Sequence, residues 1–162
     1  MPAFALALAL MFASTTPAQA GAQPAPPPPS QPKIETIDAR TRAALEAVAY
    51  DYVDGQLEGN AERVARALHP DLAKRAVVGN GPTSREVFPL RRMSADELID
   101  LTRQGALKTP REQWNRSVRV LDVTGNAAVV RVETPWFVDY FHMGRFGERW
   151  LIVNALWFSK PA

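Results

Sequence analysis

The sequence predicts an α+β fold over residues 35–160, with about three N-terminal helices laid on an antiparallel sheet. Three observations carry that reading. Apolar residues recur at helical spacing as far as residue 104, and beyond Pro110 the period shortens to strand-like runs. The last run, Trp150 to Phe158, is apolar on both of its faces. The 162 residues allow one such domain plus a short additional segment, and too little for a second ordinary domain.

That segment comes first. An apolar stretch from Ala3 to Ala13 is followed by Ser14, Thr15, Thr16 and Pro17, and then by Ala18-Gln19-Ala20, a small-x-small cleavage pattern. This is the order of a secretory signal peptide over residues 1–20, and the apolar stretch is too short to span a bilayer as a helix. No Lys or Arg precedes it, so either the N-terminal amine supplies the positive charge or the natural start lies upstream. Residues 21–34 open with GAQPAPPPPSQP and form a Pro/Ala-rich linker, which offers little to bury and is expected to be a disordered tether. The mature protein is then periplasmic or secreted, with no stable membrane anchor once the signal is removed.

The first helix is expected from Thr36 to Glu58. Leu45, Val48, Ala49, Tyr52, Val53 and Leu57 follow helical spacing, while Arg40, Asp51, Asp54 and Glu58 take the other side. Gly59 suits its end and Asn60 the cap of a second, shorter helix, which carries Val64 and Leu68 and stops at His69-Pro70. Gly79 to Pro82 reads as a turn, and Glu86 to Leu90 as a short strand interrupted by Pro89. Ser94 and Glu97 make a capping box for a third helix, which turns Leu98 and Leu101 inward and ends near Gly105.

Four strands follow, at 118–123, 127–134, 136–143 and 149–158, joined at Gly125-Asn126 and at Gly144 to Glu148. A sheet with one face in water alternates apolar and polar residues. The last strand does not, so both of its faces are covered, one by helices and the other, most economically, by a second subunit.

Composition excludes more than it assigns. Apolar residues are 46% and charged residues 22%, a globular balance. The net charge of +2 comes from arginines scattered along the chain, without the basic patch or recognised module of a nucleic-acid reader. There is no cysteine, which removes disulfides, thiolate chemistry and lipid attachment to an N-terminal Cys. With His69 and His142 as the only histidines, a transition-metal site would need an unusual carboxylate-rich set, and no cofactor is implied.

The order of elements resembles the "putative lumazine-binding" branch of the nuclear transport factor 2-like proteins. The resemblance lies in YDYVDGQLEGNAERVARALHPDLAKRAV (50–77), LRRMSADELIDLTRQG (90–105), VRVLDVTGNAAVVRVE (118–133), WFVDYFHM (136–143) and RWLIVNALW (149–157). It implies a cone, a curved sheet wrapped against helices around a pocket, commonly as a dimer. The wider superfamily includes isomerases, dehydratases, polyketide cyclases and proteins without chemistry, so the resemblance names no reaction.

Among residues able to carry chemistry, Asp139 and His142 first suggest an acid–base pair. Residues three apart on a strand point to opposite faces, so they are not expected to work together. Asp139 shares a face with Phe137, Phe141 and Met143, where desolvation would raise its pKa and make it a proton acceptor; some members of the superfamily, such as ketosteroid isomerase, use an Asp in an apolar pocket as a base. The alternative is an ion pair with an arginine (Arg119, Arg131, Arg145 or Arg149) across the sheet or at a subunit interface. Trp136, Tyr140 and His142 share the other face, where an aromatic wall with two hydrogen-bonding tips suits a small-molecule site; the alternative is an aromatic core. Asn154, read as sharing a face with Trp150, Ile152, Leu156 and Phe158, must find a strand neighbour or a ligand. His69 reads as a helix cap.

The sequence therefore points to an exported homodimeric domain of unassigned activity. It is expected to bind a small, mostly apolar or aromatic molecule through Trp136, Tyr140, His142 and Asn154. Two alternatives stand beside it. One is an isomerase-, dehydratase- or cyclase-type enzyme with Asp139 as base and Tyr140 or His142 as helper; the other is a structural dimerisation domain with a filled cone.

Overall fold

The computed structural model describes residues 37–77 and 85–160. The signal peptide, the linker and the Gly79–Pro82 turn lie outside the described residues. Helix α1 runs from Ala39 to Glu58 and starts later than helical spacing alone predicts, because Asp38 takes the N-cap and accepts a 2.9 Å hydrogen bond from the Thr41 amide. Gly59 ends it in the left-handed conformation (φ 76°), which a side chain would resist. Asn60 then caps α2 (Ala61–Ala67), accepting from the Arg63 amide at 3.0 Å. The two helices pack closely at Gly55, where a Cβ would stand 2.8 Å from Val64 Cγ2.

Beyond α2 the chain departs from expectation. The helix stops at Ala67, and His69-Pro70 belongs to a strand, β1 (Leu68–Ala76). The ladder beside β1 lapses between Leu68 and Ala73, so Pro70, lacking an N–H, removes no sheet hydrogen bond there. His69 caps nothing: its Nδ1 accepts from the Asp71 amide at 3.1 Å, and its ring lies 4.9 Å from that of Phe146. The strand expected at 86–90 forms only after Pro89, as β2 (Arg91–Met93), because proline has no N–H to give to a ladder. Helix α3 (Ala95–Arg103) carries the capping box in full, with Ser94 Oγ 3.2 Å from the Glu97 amide and Glu97 Oε2 2.9 Å from the Ser94 amide.

The remaining strands are β3 (Ser117–Thr124), β4 (Ala127–Glu133), β5 (Phe137–Phe146) and β6 (Arg149–Ser159). They join β1 and β2 in one curved, unclosed six-stranded sheet ordered β2-β1-β6-β5-β4-β3. The sheet is mixed rather than wholly antiparallel, because β1 runs parallel to β6. A parallel neighbour needs a long crossover, here the passage through β2, α3, β3, β4 and β5.

Helices cover one face. Leu45, Ala49, Tyr52, Val53 and Leu57 of α1 meet Val130, Val132, Phe141, Met143 and Ile152 of the sheet, and Tyr52 packs edge-to-face on Phe141 at 4.8 Å. On the other side of α1, Glu58 is exposed and Asp51 half-buried, but Asp54 is covered. Asp54 is buried beneath Arg116, which grips it through Nε and Nη2, and beneath Arg63, which also reaches Asp51 at 2.8 Å. Among the described residues nothing covers the other face of the sheet, which exposes Tyr140, Leu156 and Phe158.

Candidate functional site

Asp139 lies near the start of β5 on the helix-covered face and is 0% exposed. Its partners arrive from two distant elements. Tyr52 projects from α1 and donates its hydroxyl to Asp139 Oδ2 at 3.2 Å. Lys74 projects from β1 and donates to Asp139 Oδ1 at 2.7 Å and to the Tyr52 hydroxyl at 2.6 Å. Strand order explains how lysine reaches across. Lys74 stands opposite Ala155 of β6, and Ala155 opposite Phe141 of β5, so the small alanine lets the ammonium cross one strand to its carboxylate.

The three groups close a triangle in a dry setting. Burial raises the Asp139 carboxyl above its ordinary range, and the Lys74 ammonium and Tyr52 hydroxyl counteract it. Burial likewise lowers the Lys74 pKa, opposed by Asp139. Tyr52 is raised well above the phenol range by burial and by the Asp139 charge, so it stays protonated. Each charge is tolerable because the other stands beside it.

One turn beyond Tyr52 on α1, Gln56 is 2% exposed, and its Nε2 has no hydrogen bond of ordinary geometry; it leans on the Tyr52 hydroxyl. Gln56, Lys74 and Asp139 all line a cavity of about 210 Å³, whose walls include Met93, Leu98, Leu101, Phe137 and Trp157. It is therefore an apolar chamber with a polar inner end, which can hold a small molecule, orient its polar group and, through Asp139, exchange a proton with it. Among the described residues, no group of three or more His, Asp or Glu is arranged to hold a metal ion.

The residues nominated from sequence for ligand binding lie elsewhere. Tyr140 (44% exposed), His142 and Asn154 lie on the uncovered side of the sheet, Trp136 (41%) sits in the bend before β5, which starts at Phe137, and none of the four lines this cavity. His142 pairs with Asn154 and Tyr140 with Leu156 across β5 and β6, so these residues do form one surface. A hollow of about 350 Å³ opens there beside His142, Asp122 and Val153, with no buried unpartnered polar atom among its described lining. Asn154 keeps Leu156 and Phe158 as face-mates but not Trp150 and Ile152, because β6 bulges at Val153: Met143 pairs with Ile152 but His142 with Asn154. Trp150 and Ile152 consequently point to the helices, while Asn154, Leu156 and Phe158 point away.

Asp139 and His142 do face opposite sides, as alternation requires. The arginine partner considered for Asp139 is instead Lys74. Tyr52, Gln56 and Lys74 escaped notice as site residues, although Lys74 left a signal, since it shares the inward phase of β1 with Leu72 and Ala76.

Comparison with known proteins agrees with this architecture. The profile of the family described as "Putative lumazine-binding" matches residues 40–158. The fold is similar to that of a nuclear transport factor 2-like protein of unknown function from Silicibacter pomeroyi, with TM-score 0.60 and 19% identity over 73% of this chain and 94% of that one. A similar protein of unknown function from Methylobacillus flagellatus gives TM-score 0.59 and 20% identity over 79% and 98%. A ketosteroid isomerase-like protein from Erwinia carotovora atroseptica gives 0.52 and 14% over 77% and 100%. At these identities the likeness concerns fold. No curated protein matches the chain.

Proposed function

The chain belongs to the "Putative lumazine-binding" family of nuclear transport factor 2-like proteins, and from that premise we propose that it binds a small, mostly apolar or aromatic molecule in the cavity beside α3. The observation that carries the reading is Gln56. A buried amide N–H without a good acceptor costs about 1–3 kcal/mol, and here it borders an open apolar chamber, where a ligand oxygen would satisfy it. The chamber is small beside the roughly 300–1,000 Å³ of drug-sized sites, which favours a molecule of one or two rings. The unfilled volume counts against a cone packed solid by its own side chains.

Asp139 favours a second reading, proton transfer on the bound molecule, because it lines the same chamber and burial raises its pKa. Lys74 opposes that role by holding the carboxylate in an ion pair, so binding without chemistry is preferred. The uncovered face, with Tyr140, Leu156 and Phe158, is assigned to self-association as a homodimer, since so much exposed aromatic surface is a liability in a monomer. The leader-like residues 1–20 support export to the periplasm or beyond the cell.

A thermal-shift screen against pteridines, flavins, steroids and aromatic acids tests the binding reading. At least one class should raise the melting temperature of the wild type, by roughly 2.7 kcal/mol of stabilisation at a hundredfold excess over Kd. Leu101→Trp, which fills the chamber, should abolish that shift. A shift that survives the plug places the ligand elsewhere, and no shift with any class sinks the reading.

A further inference from the structure

We propose that the ligand of this cavity is a small apolar carboxylate, held by Arg91 at the mouth with its ring against Trp157. The inference rests on the binding reading above and adds the ligand's charge and orientation. Three charged side chains line the chamber, Lys74, Arg91 and Asp139, and two of them cancel, since Lys74 and Asp139 pair at 2.7 Å. Arg91 is exposed and, among the described residues, has no carboxylate within ion-pairing distance. The chamber therefore carries an uncompensated positive charge at its open end.

The Trp157 indole is close to both cations: the buried Lys74 Nζ stands 5.5 Å from its ring centroid and the exposed Arg91 guanidinium 5.9 Å. A planar ligand laid along this indole would present one end to the buried Gln56 amide and the other to Arg91. The two ends ask for different groups. Gln56 Nε2 calls for an acceptor oxygen, and Asp139 beside it would repel a second anion, so the inner group is neutral, such as a carbonyl. The guanidinium at the mouth is a fork matched to a carboxylate.

The surrounding strands sharpen the preference. Arg91 and Arg92 make up two-thirds of the three-residue β2, and Arg75 of β1 stands opposite Arg92 across the ladder. Like charges opposite one another weaken a sheet, and among the described residues neither arginine has an ion-pair partner to relieve it. An anion docked on Arg91 would lower the potential of this whole edge.

The test is isothermal titration of the full chain with 4-acetylbenzoate, which has a ketone at one end and a carboxylate at the other. Two analogues separate the ends: 4-acetylbenzamide lacks the charge, and 4-isopropylbenzoate lacks the acceptor. The acid should bind about tenfold tighter than its amide, a preference that shrinks as salt rises. Arg91→Gln should bring acid and amide to parity, Arg91→Lys should keep part of the preference, and unchanged melting temperatures would certify both folds. The isopropyl analogue should bind more weakly than the acetyl acid through the unpaired Gln56. Equal binding of acid and amide to the wild type overturns the charge inference and leaves the cavity reading standing. A preference that persists in Arg91→Gln overturns the role of Arg91. If none of the three binds at millimolar concentration, the carboxylate inference falls, and the cavity reading is decided separately by the thermal-shift screen.

Discussion

Replacing Lys74 by Met would leave the Asp139 carboxylate at 0% exposure with only the Tyr52 hydroxyl as a partner. Breaking a buried ion pair from one side costs about 3–5 kcal/mol at neutral pH, because the stranded charge keeps its desolvation penalty and loses its compensation. For a domain of this size that is a fall of roughly 10–20 °C in melting temperature. The loss should depend on pH, and its sign follows from Asp139. Burial raises this carboxyl already, and removal of the ammonium that opposes burial raises it further. A carboxyl whose folded pKa exceeds its unfolded value of about 3.9 contributes stability that is complete below that value and is lost as pH rises through the folded one. The variant should therefore lie nearest the wild type around pH 4 and fall progressively behind toward pH 7.

Urea unfolding followed by tryptophan fluorescence between pH 4 and 8 measures the difference. The triple variant Tyr52→Phe, Lys74→Met, Asp139→Leu is the control. It removes all three polar groups, and its stability should return to within about 1–2 kcal/mol of wild type and lose the pH dependence of the single variant. A single-variant loss under 1 kcal/mol, or one that is flat with pH, would refute the view of this cluster as a desolvated ion pair.

The homodimer proposed on the uncovered face predicts that Phe158→Glu yields monomer; light scattering that finds the unmodified protein monomeric at micromolar concentration counts against it. Ser94→Ala should cost α3 about 1 kcal/mol by removing its cap, read as a lower urea midpoint at unchanged slope. Gly55→Ala should destabilise rather than gain helix propensity, since the new Cβ meets Val64 Cγ2 at 2.8 Å; a higher melting temperature would show that α2 moves aside freely. For export, N-terminal sequencing of the native protein should find Gly21 first, and an intact leader in the cytoplasm would end that proposal.

What was legible in the sequence is whatever local chemistry decides. The caps at Asn60 and Ser94, the left-handed Gly59 and the sharing of one strand face by Asp139, Phe137, Phe141 and Met143 each depend on residues within a few positions, and the structure has them as read. The partners of Asp139 were hidden because they are 65 and 87 residues away in the chain, brought close by a parallel crossover that no local pattern announces. Trp150 and Ile152 were wrongly grouped with Asn154, Leu156 and Phe158 for a related reason, since a single extra residue at Val153 inverts the side chains beyond it while leaving the hydrophobic run unchanged. Lys74 is the instructive case. Its segment Leu72-Ala73-Lys74-Arg75-Ala76 alternates as a strand should, but with a lysine where an apolar residue belongs, and that break in phase makes the strand hard to recognise. The break is also the best pointer to the site. A lysine is almost never buried without a specific partner, so an inward lysine requires an inward carboxylate, and Asp139 is the carboxylate already placed among apolar neighbours on the next-but-one strand. The two anomalies, each unremarkable alone, explain one another and mark the buried end of the cavity.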